Sequence, residues 1–197
     1  MLAAVQMNTV NSPLTSNLVE YLLLAMPDAR LRLRLWALTE ASKSGEAPAG
    51  LSTAPGEGIP VAGFTAGEVM EPTIIKWMQR IVSTQQCWEV RLSGYFGRPP
   101  EAVYLRVQDP LPFQKIAASL GPVDELIQSS GYPPARRNLR PQLCIAEAGH
   151  PNAAVQLDTQ KLKMPFLASF MLEELVLLRR QFALEEYKTV QLFKLRP

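Results

Sequence analysis

The sequence predicts an α+β protein of two pseudo-symmetric halves, each setting antiparallel strands against helices. Short apolar or alternating runs recur at residues 20–26, 58–66, 88–96, 101–108, 140–146, 167–180 and 186–195, as strands do. Apolar residues at helical spacing occupy 29–43, 71–86 and 110–130 between them. The order β–α–β–α–β–β–α–β–(α)–β–β gives each half similar content, while the halves share no obvious sequence identity. The repeat is therefore one of architecture. At 197 residues and 47% hydrophobic, the chain can bury a substantial core.

EYLLLAM, at 20–26, is a continuous apolar run closed by Pro27 and Asp28, the pattern of a buried strand. Asp28 can cap the next segment, ARLRLRLWALTEASK, where Leu31, Leu35 and Leu38 recur at helical spacing. LRLRL also alternates as a strand would; the uninterrupted run to Lys43 favours the helix. Residues 44–57, rich in Gly, Pro, Ser and Ala, form a loop before the strand GIPVAGFTA. Pro72 sits in the first turn of the helix over 71–86, whose Ile74, Ile75, Met78, Ile81 and Val82 share a face.

WEVRLSGYF and EAVYLRVQ flank a turn at Gly97–Pro100 and read as a hairpin. Gly121–Pro122 breaks or kinks the helical segment 110–130. The loop GYPPARRNLR leads into a strand at 140–146, and residues 155–164 form a short helix or an irregular segment. FLASFMLEELVLLRR, about 167–180, and EYKTVQLFKL, 186–195, read as two last strands joined by a turn. Residues 1–17 read as an extension before a single domain, 18–197.

Charge excludes some functions. With 20 Lys and Arg against 18 Asp and Glu, bulk attraction to DNA is not expected, although a local basic patch is compatible. The two cysteines, Cys87 and Cys144, lie far apart, so neither a metal framework nor a disulfide scaffold is expected, although a single bridge between them stays open. No stretch approaches the ~20 apolar residues of a membrane span. The first residues make a poor signal peptide, and a cytoplasmic location is expected.

RPQLCIA, at 140–146, holds the most informative residues. Leu143 and Ile145 point one way, and Gln142, Cys144 and Ala146 the other. EYLLLAMPD with its following helix, GIPVAGF, NLRPQLCIA, and FMLEELVLLRR with EYKTVQLFKL together span residues 20–195. In this order they resemble the 2H phosphoesterase superfamily, which includes the 2′–5′ RNA ligase-like and RNA 2′,3′-cyclic phosphodiesterase proteins. The resemblance implies a bilobal fold around a central cleft, each lobe contributing one H-x-T motif on a strand. It also implies two histidines exchanging protons with a phosphodiester while two hydroxyls hold phosphate oxygens; such proton transfer needs groups that titrate near neutrality.

This chain departs from that pattern at both sites. Gln142 and Cys144 stand at the second motif's positions, and Gly58 and Pro60 most simply fall at the first's. An amide does not titrate, and glycine offers no side chain. Pro60 removes a backbone donor, which suggests an edge or bulged strand. The chain holds a single histidine, His150, so a two-histidine mechanism is impossible under any alignment.

His150 reads as an exposed loop residue or a ligand contact, and Cys144 as a packed thiol. Gln142 is either a cleft hydrogen-bonding group or a satisfied core amide. Arg136, Arg137 and Arg140 form the densest basic cluster, a solvated loop or a phosphate contact. No metal ligand set, phosphate loop or nucleophile elbow is visible, and no cofactor is expected.

The expectation is a non-catalytic relative of these phosphoesterases whose cleft binds a nucleotide, an RNA terminus or a protein partner. One alternative is a phosphodiesterase or RNA ligase-like enzyme using Cys144, His150 or Glu147. Another is a structural or interaction module with a filled cleft.

Overall fold

Among the described residues, two antiparallel sheets and four α-helices contribute to one core. The computed structural model describes residues 18–37, 58–98, 102–147, 165–183 and 185–197. Strand β1 (Leu18–Ala25) centres the first sheet, with α1 (Ala29–Trp36) directly after it. Strand β2 (Ile59–Gly67) and a short 3-10 turn precede α2 (Glu71–Val82). Strands β3 (Trp88–Arg98) and β4 (Ala102–Val107) form the expected hairpin, followed by α3 (Leu111–Ser119) and α4 (Gly121–Ser129). Strands β5 (Arg136–Arg137), β6 (Gln142–Glu147), β7 (Leu167–Leu172), β8 (Glu174–Arg180) and β9 (Lys188–Lys194) complete the chain. The first sheet runs β5-β2-β1-β8-β9 and the second β6-β4-β3-β7.

The ambiguity of LRLRL resolves as a helix. The Asp28 carboxylate accepts the Leu31 amide at 2.7 Å, capping the first turn. Leu31 is then buried while Leu33 is 51% exposed, a split that a helix produces over two residues. The helix is described only to Trp36; the expected continuation to residue 43, the extension 1–17 and the segment 155–164 lie outside the described residues. Ile74, Met78 and Val82 bury the expected face of α2. That helix stops at Val82 rather than 86, because the Ser83 and Thr84 hydroxyls turn back onto the Arg80 and Ile81 carbonyls.

Two expectations need correction. Residues 167–180 are two strands in different sheets. Phe170 and Leu172 point into the core from even positions, whereas Leu175 and Leu177 do so from odd ones. Glu173 is the extra residue that shifts the phase, so the chain leaves β3 and joins β1 there. The loop at 131–140 also contains a strand: β5 pairs Arg137 with Ala62 and Arg136 with Gly63. Two residues carry too little periodicity for sequence to show this.

One core joins both sheets. Tyr21, Leu23, Leu177 and Phe193 from the first meet Leu92, Leu105 and Leu143 from the second, with Met78, Phe113 and Ile127 from the helices. Tyr21 stacks on Phe64 with centroids 5.1 Å apart. The other face of the first sheet has its own buried cluster: Leu24, Met26, Val176 and Leu178. No helix of the described residues is long and apolar enough to cross a membrane.

Candidate functional site

Strand β6 alternates as its sequence implies. Leu143 enters the shared core, so Gln142 and Cys144 project from the opposite face of the second sheet. Cross-strand pairing sets their company. Gln142 lies opposite Arg106, and Arg106 opposite Ser93; Cys144 lies opposite Tyr104, and Tyr104 opposite Phe96. Opposed residues share a face, so amide, guanidinium and hydroxyl form one row beside an aromatic row. Phe96 and Tyr104 stack with centroids 5.4 Å apart, and the Arg106 guanidinium sits 5.7 Å from the Phe96 centroid. Arg106 is exposed, whereas Gln142 and Cys144 are half-buried.

Strands β2 and β6 pack together where the two sheets meet. Pro60 lies opposite Leu24, beside a bulge between Leu23 and Leu24 in the β1–β2 pairing. The missing amide of Pro60 and the bulge thus coincide, as the sequence suggested. The Pro60 carbonyl accepts the Asn138 side-chain amide at 2.8 Å, and the Val61 carbonyl accepts the Asn138 backbone amide at 2.9 Å. Gly58 is buried and closely surrounded: a Cβ would lie 2.8 Å from the Met26 sulfur, which would have to shift, and 3.2 Å from the Ala25 carbonyl oxygen.

The arginine cluster divides. Arg137 pairs with Asp124 of α4 at 2.8 Å, and Asp124 also accepts the Ala135 amide at 2.7 Å. Alternation sends the neighbouring Arg136 to the other face of the sheet edge. Arg136 and Arg140 are both exposed, and the Arg140 amide donates to the Asn138 side chain at 3.1 Å. His150 lies outside the described residues, as does the side chain of Glu147.

Sequence reasoning missed Ser93, Phe96, Tyr104 and Arg106. Alternation in AVYLRV already put Tyr104 and Arg106 on one face. Only the register showed that this is the face of Gln142.

The corresponding face of the first sheet is mostly apolar, with Leu22 against the Leu24–Met26–Val176–Leu178 cluster. Its far end is charged: Arg180 donates to Glu20 at 2.6 Å and lies 4.6 Å from the Tyr187 ring centroid. Burial, reinforced by Glu20, pushes the Tyr187 phenol up to about 12. Cys87 and Cys144 are not joined in a disulfide. Among the described residues no group of three or more His, Cys, Asp or Glu is placed to hold a metal ion.

No family model and no curated protein matches the sequence. Solved structures do match the fold. TT0787 of Thermus thermophilus is 18% identical with a TM-score of 0.54, over 90% of this chain and 98% of that one. LigT of E. coli, solved with NADP+, is 14% identical with a TM-score of 0.58, over 92% of this chain and 100% of that one. A structure described as a phosphoesterase is also 14% identical, with a TM-score of 0.57 over 92% and 100%. LigT has also been solved with 3'-AMP. The fold of this chain is therefore that of LigT and its structural neighbours, as the resemblance to the 2H phosphoesterases implied.

Proposed function

We propose that this chain is a non-catalytic member of that fold, binding a nucleotide or RNA terminus on the face of β6, β4 and β3. The observation that carries the reading is the identity of the residues where β2 and β6 meet. Gly58 and Gln142 hold the motif positions from which a proton-transfer pair would act, and neither titrates. The same row is equipped for binding. Arg106 can pair with a phosphate, Gln142 and Ser93 can hydrogen-bond, and Phe96 with Tyr104 offers aromatic surface. Arg136 and Arg140 contribute exposed positive charge on the segment entering β6. That LigT is solved with NADP+ and with 3'-AMP supports a nucleotide as the ligand class.

The test is to incubate the full chain with 2′,3′-cyclic nucleotides and 2′–5′-linked dinucleotides, following both binding and product. Saturable binding without product is expected, weakened about tenfold or more by Arg106→Ala or Gln142→Ala, since a hydrogen bond to a charged group is worth about 1.5–3 kcal/mol. Robust turnover abolished by Gln142→Ala would sink the non-catalytic reading.

A second reading, an interaction module with a filled cleft, is favoured by one observation. Leu24, Val176 and Leu178 are at most 2% exposed on the first sheet's face away from the shared core. Absence of any nucleotide binding would select it.

A further inference from the structure

A cavity of about 550 Å³ lies between the first turns of α1 and the β3–β7 side of the second sheet. That volume suits a small-molecule site. No residue of β6 lines it, and β6 is at the opposite edge of the sheet. Three guanidinium groups surround it: Arg30 and Arg34 from α1 and Arg91 from β3. Gln108 and Ser169 add neutral polar groups, and Leu31 and Leu167 an apolar wall.

Two carboxylates also line the cavity, and both are engaged within the protein. Asp28 caps α1 by accepting the Leu31 amide at 2.7 Å. Glu89 accepts Arg91 Nε at 2.8 Å and Arg91 Nη2 at 2.7 Å. Hydrogen bonds from Arg91 and then Ser169 hold its carboxyl below the usual range, so it stays ionised and offsets Arg91.

Arg34 is fixed without being neutralised. Its guanidinium donates to the Leu167 carbonyl at 3.1 Å and lies 5.0 Å from the Phe166 ring centroid. Arg30 is exposed and has no ion-pair partner among the described residues. The charge left over is therefore positive, and one of its carriers is already held in place. Fixing a guanidinium in advance lowers the ordering cost of binding, and its planar fork matches carboxylate and phosphate alike.

We propose that this cavity is a binding site for a small molecule bearing an oxyanion, phosphate or carboxylate, seated on Arg30 and Arg34. It lies on the same sheet face as the Gln142 row, whose Ser93 pairs with Leu167 of the cavity wall, but at the β7 edge, with β3 and β4 between it and β6. The test is calorimetric titration of the full chain at low salt with pyrophosphate and, separately, with citrate. Wild type, Arg30→Gln, Arg30→Glu and Gln142→Ala are compared, with circular dichroism verifying that each is folded.

One saturable site is expected, weakened about tenfold by Arg30→Gln, as loss of a charge-assisted hydrogen bond implies. Arg30→Glu should weaken it further, and Gln142→Ala should leave it unchanged. Tighter binding of pyrophosphate or of citrate distinguishes a phosphate from a carboxylate ligand. Unsaturable binding, equal binding by the Arg30 variants, or loss in Gln142→Ala would each overturn the proposal.

Discussion

Asp124 shows how one buried carboxylate fixes the approach to β6. It is 8% exposed on α4 and takes hydrogen bonds from the Ala135 amide and Arg137. Burial pushes its carboxyl up, but bonds from Ala135, Gln128 and Arg137 outweigh this and leave the pKa below the ordinary value. A carboxyl depressed in the folded state contributes stability above the unfolded pKa, about 4, and loses it as pH falls through the folded value. Asp124→Asn is therefore expected to cost about 1–3 kcal/mol at neutral pH, and the difference from wild type should shrink below pH ~4. Urea titrations across pH check this; a pH-independent difference would reject the ionic role. Sequence alone makes Arg137 one of three equivalent loop arginines. Its partner is 13 residues upstream on another element, a separation that local patterning cannot bridge.

At the scale of elements, local chemistry was readable where it was strong and unreadable where pairing partners decide. The Asp28 cap and the Pro72 helix start needed only near neighbours and stand where the sequence put them, as does the hairpin, except that Gly97 and Arg98, expected in its turn, pair as strand with Val103 and Ala102. The division of 167–180 at Glu173 required knowing that Leu172 faces Trp88 while Leu175 faces Ala25. The hairpin offers a graded test. Gly97 has φ 102° and a Cβ there would collide with the Ala102 carbonyl oxygen; Gly94, at the bulge between Ser93 and Tyr95, has φ 64° and open space. Gly97→Ala should cost about 1–3 kcal/mol from strain at positive φ plus the collision, and Gly94→Ala clearly less. Thermal melts of the two variants rank them, and equal destabilisation would contradict the collision.

Across the whole molecule, the fold class was legible and the shared core was not. Apolar runs announce strands and helices singly, but nothing in Leu105 or Leu143 says that they meet the same core as Tyr21 and Phe193. Because that core crosses both sheets, the two halves are expected to unfold together. Tryptophan fluorescence and far-UV circular dichroism should give coincident urea transitions, and separated midpoints would show independent lobes. The candidate site was half legible. Gln142 and Cys144 were legible from the alternation of one short strand, while Arg106 and its aromatic neighbours emerged only with the register.

The crossing at Glu173 also bears on synthesis. The second sheet needs nothing beyond β7, yet β1, the centre of the first, must await β8 for half of its pairing. The Glu20–Arg180 bond closes a span of 160 residues. Contacts so distant in sequence slow folding, and an unpaired strand edge rich in leucine invites association with other chains. A chain leaving the ribosome thus carries the central strand of its first sheet half-open until β8 appears.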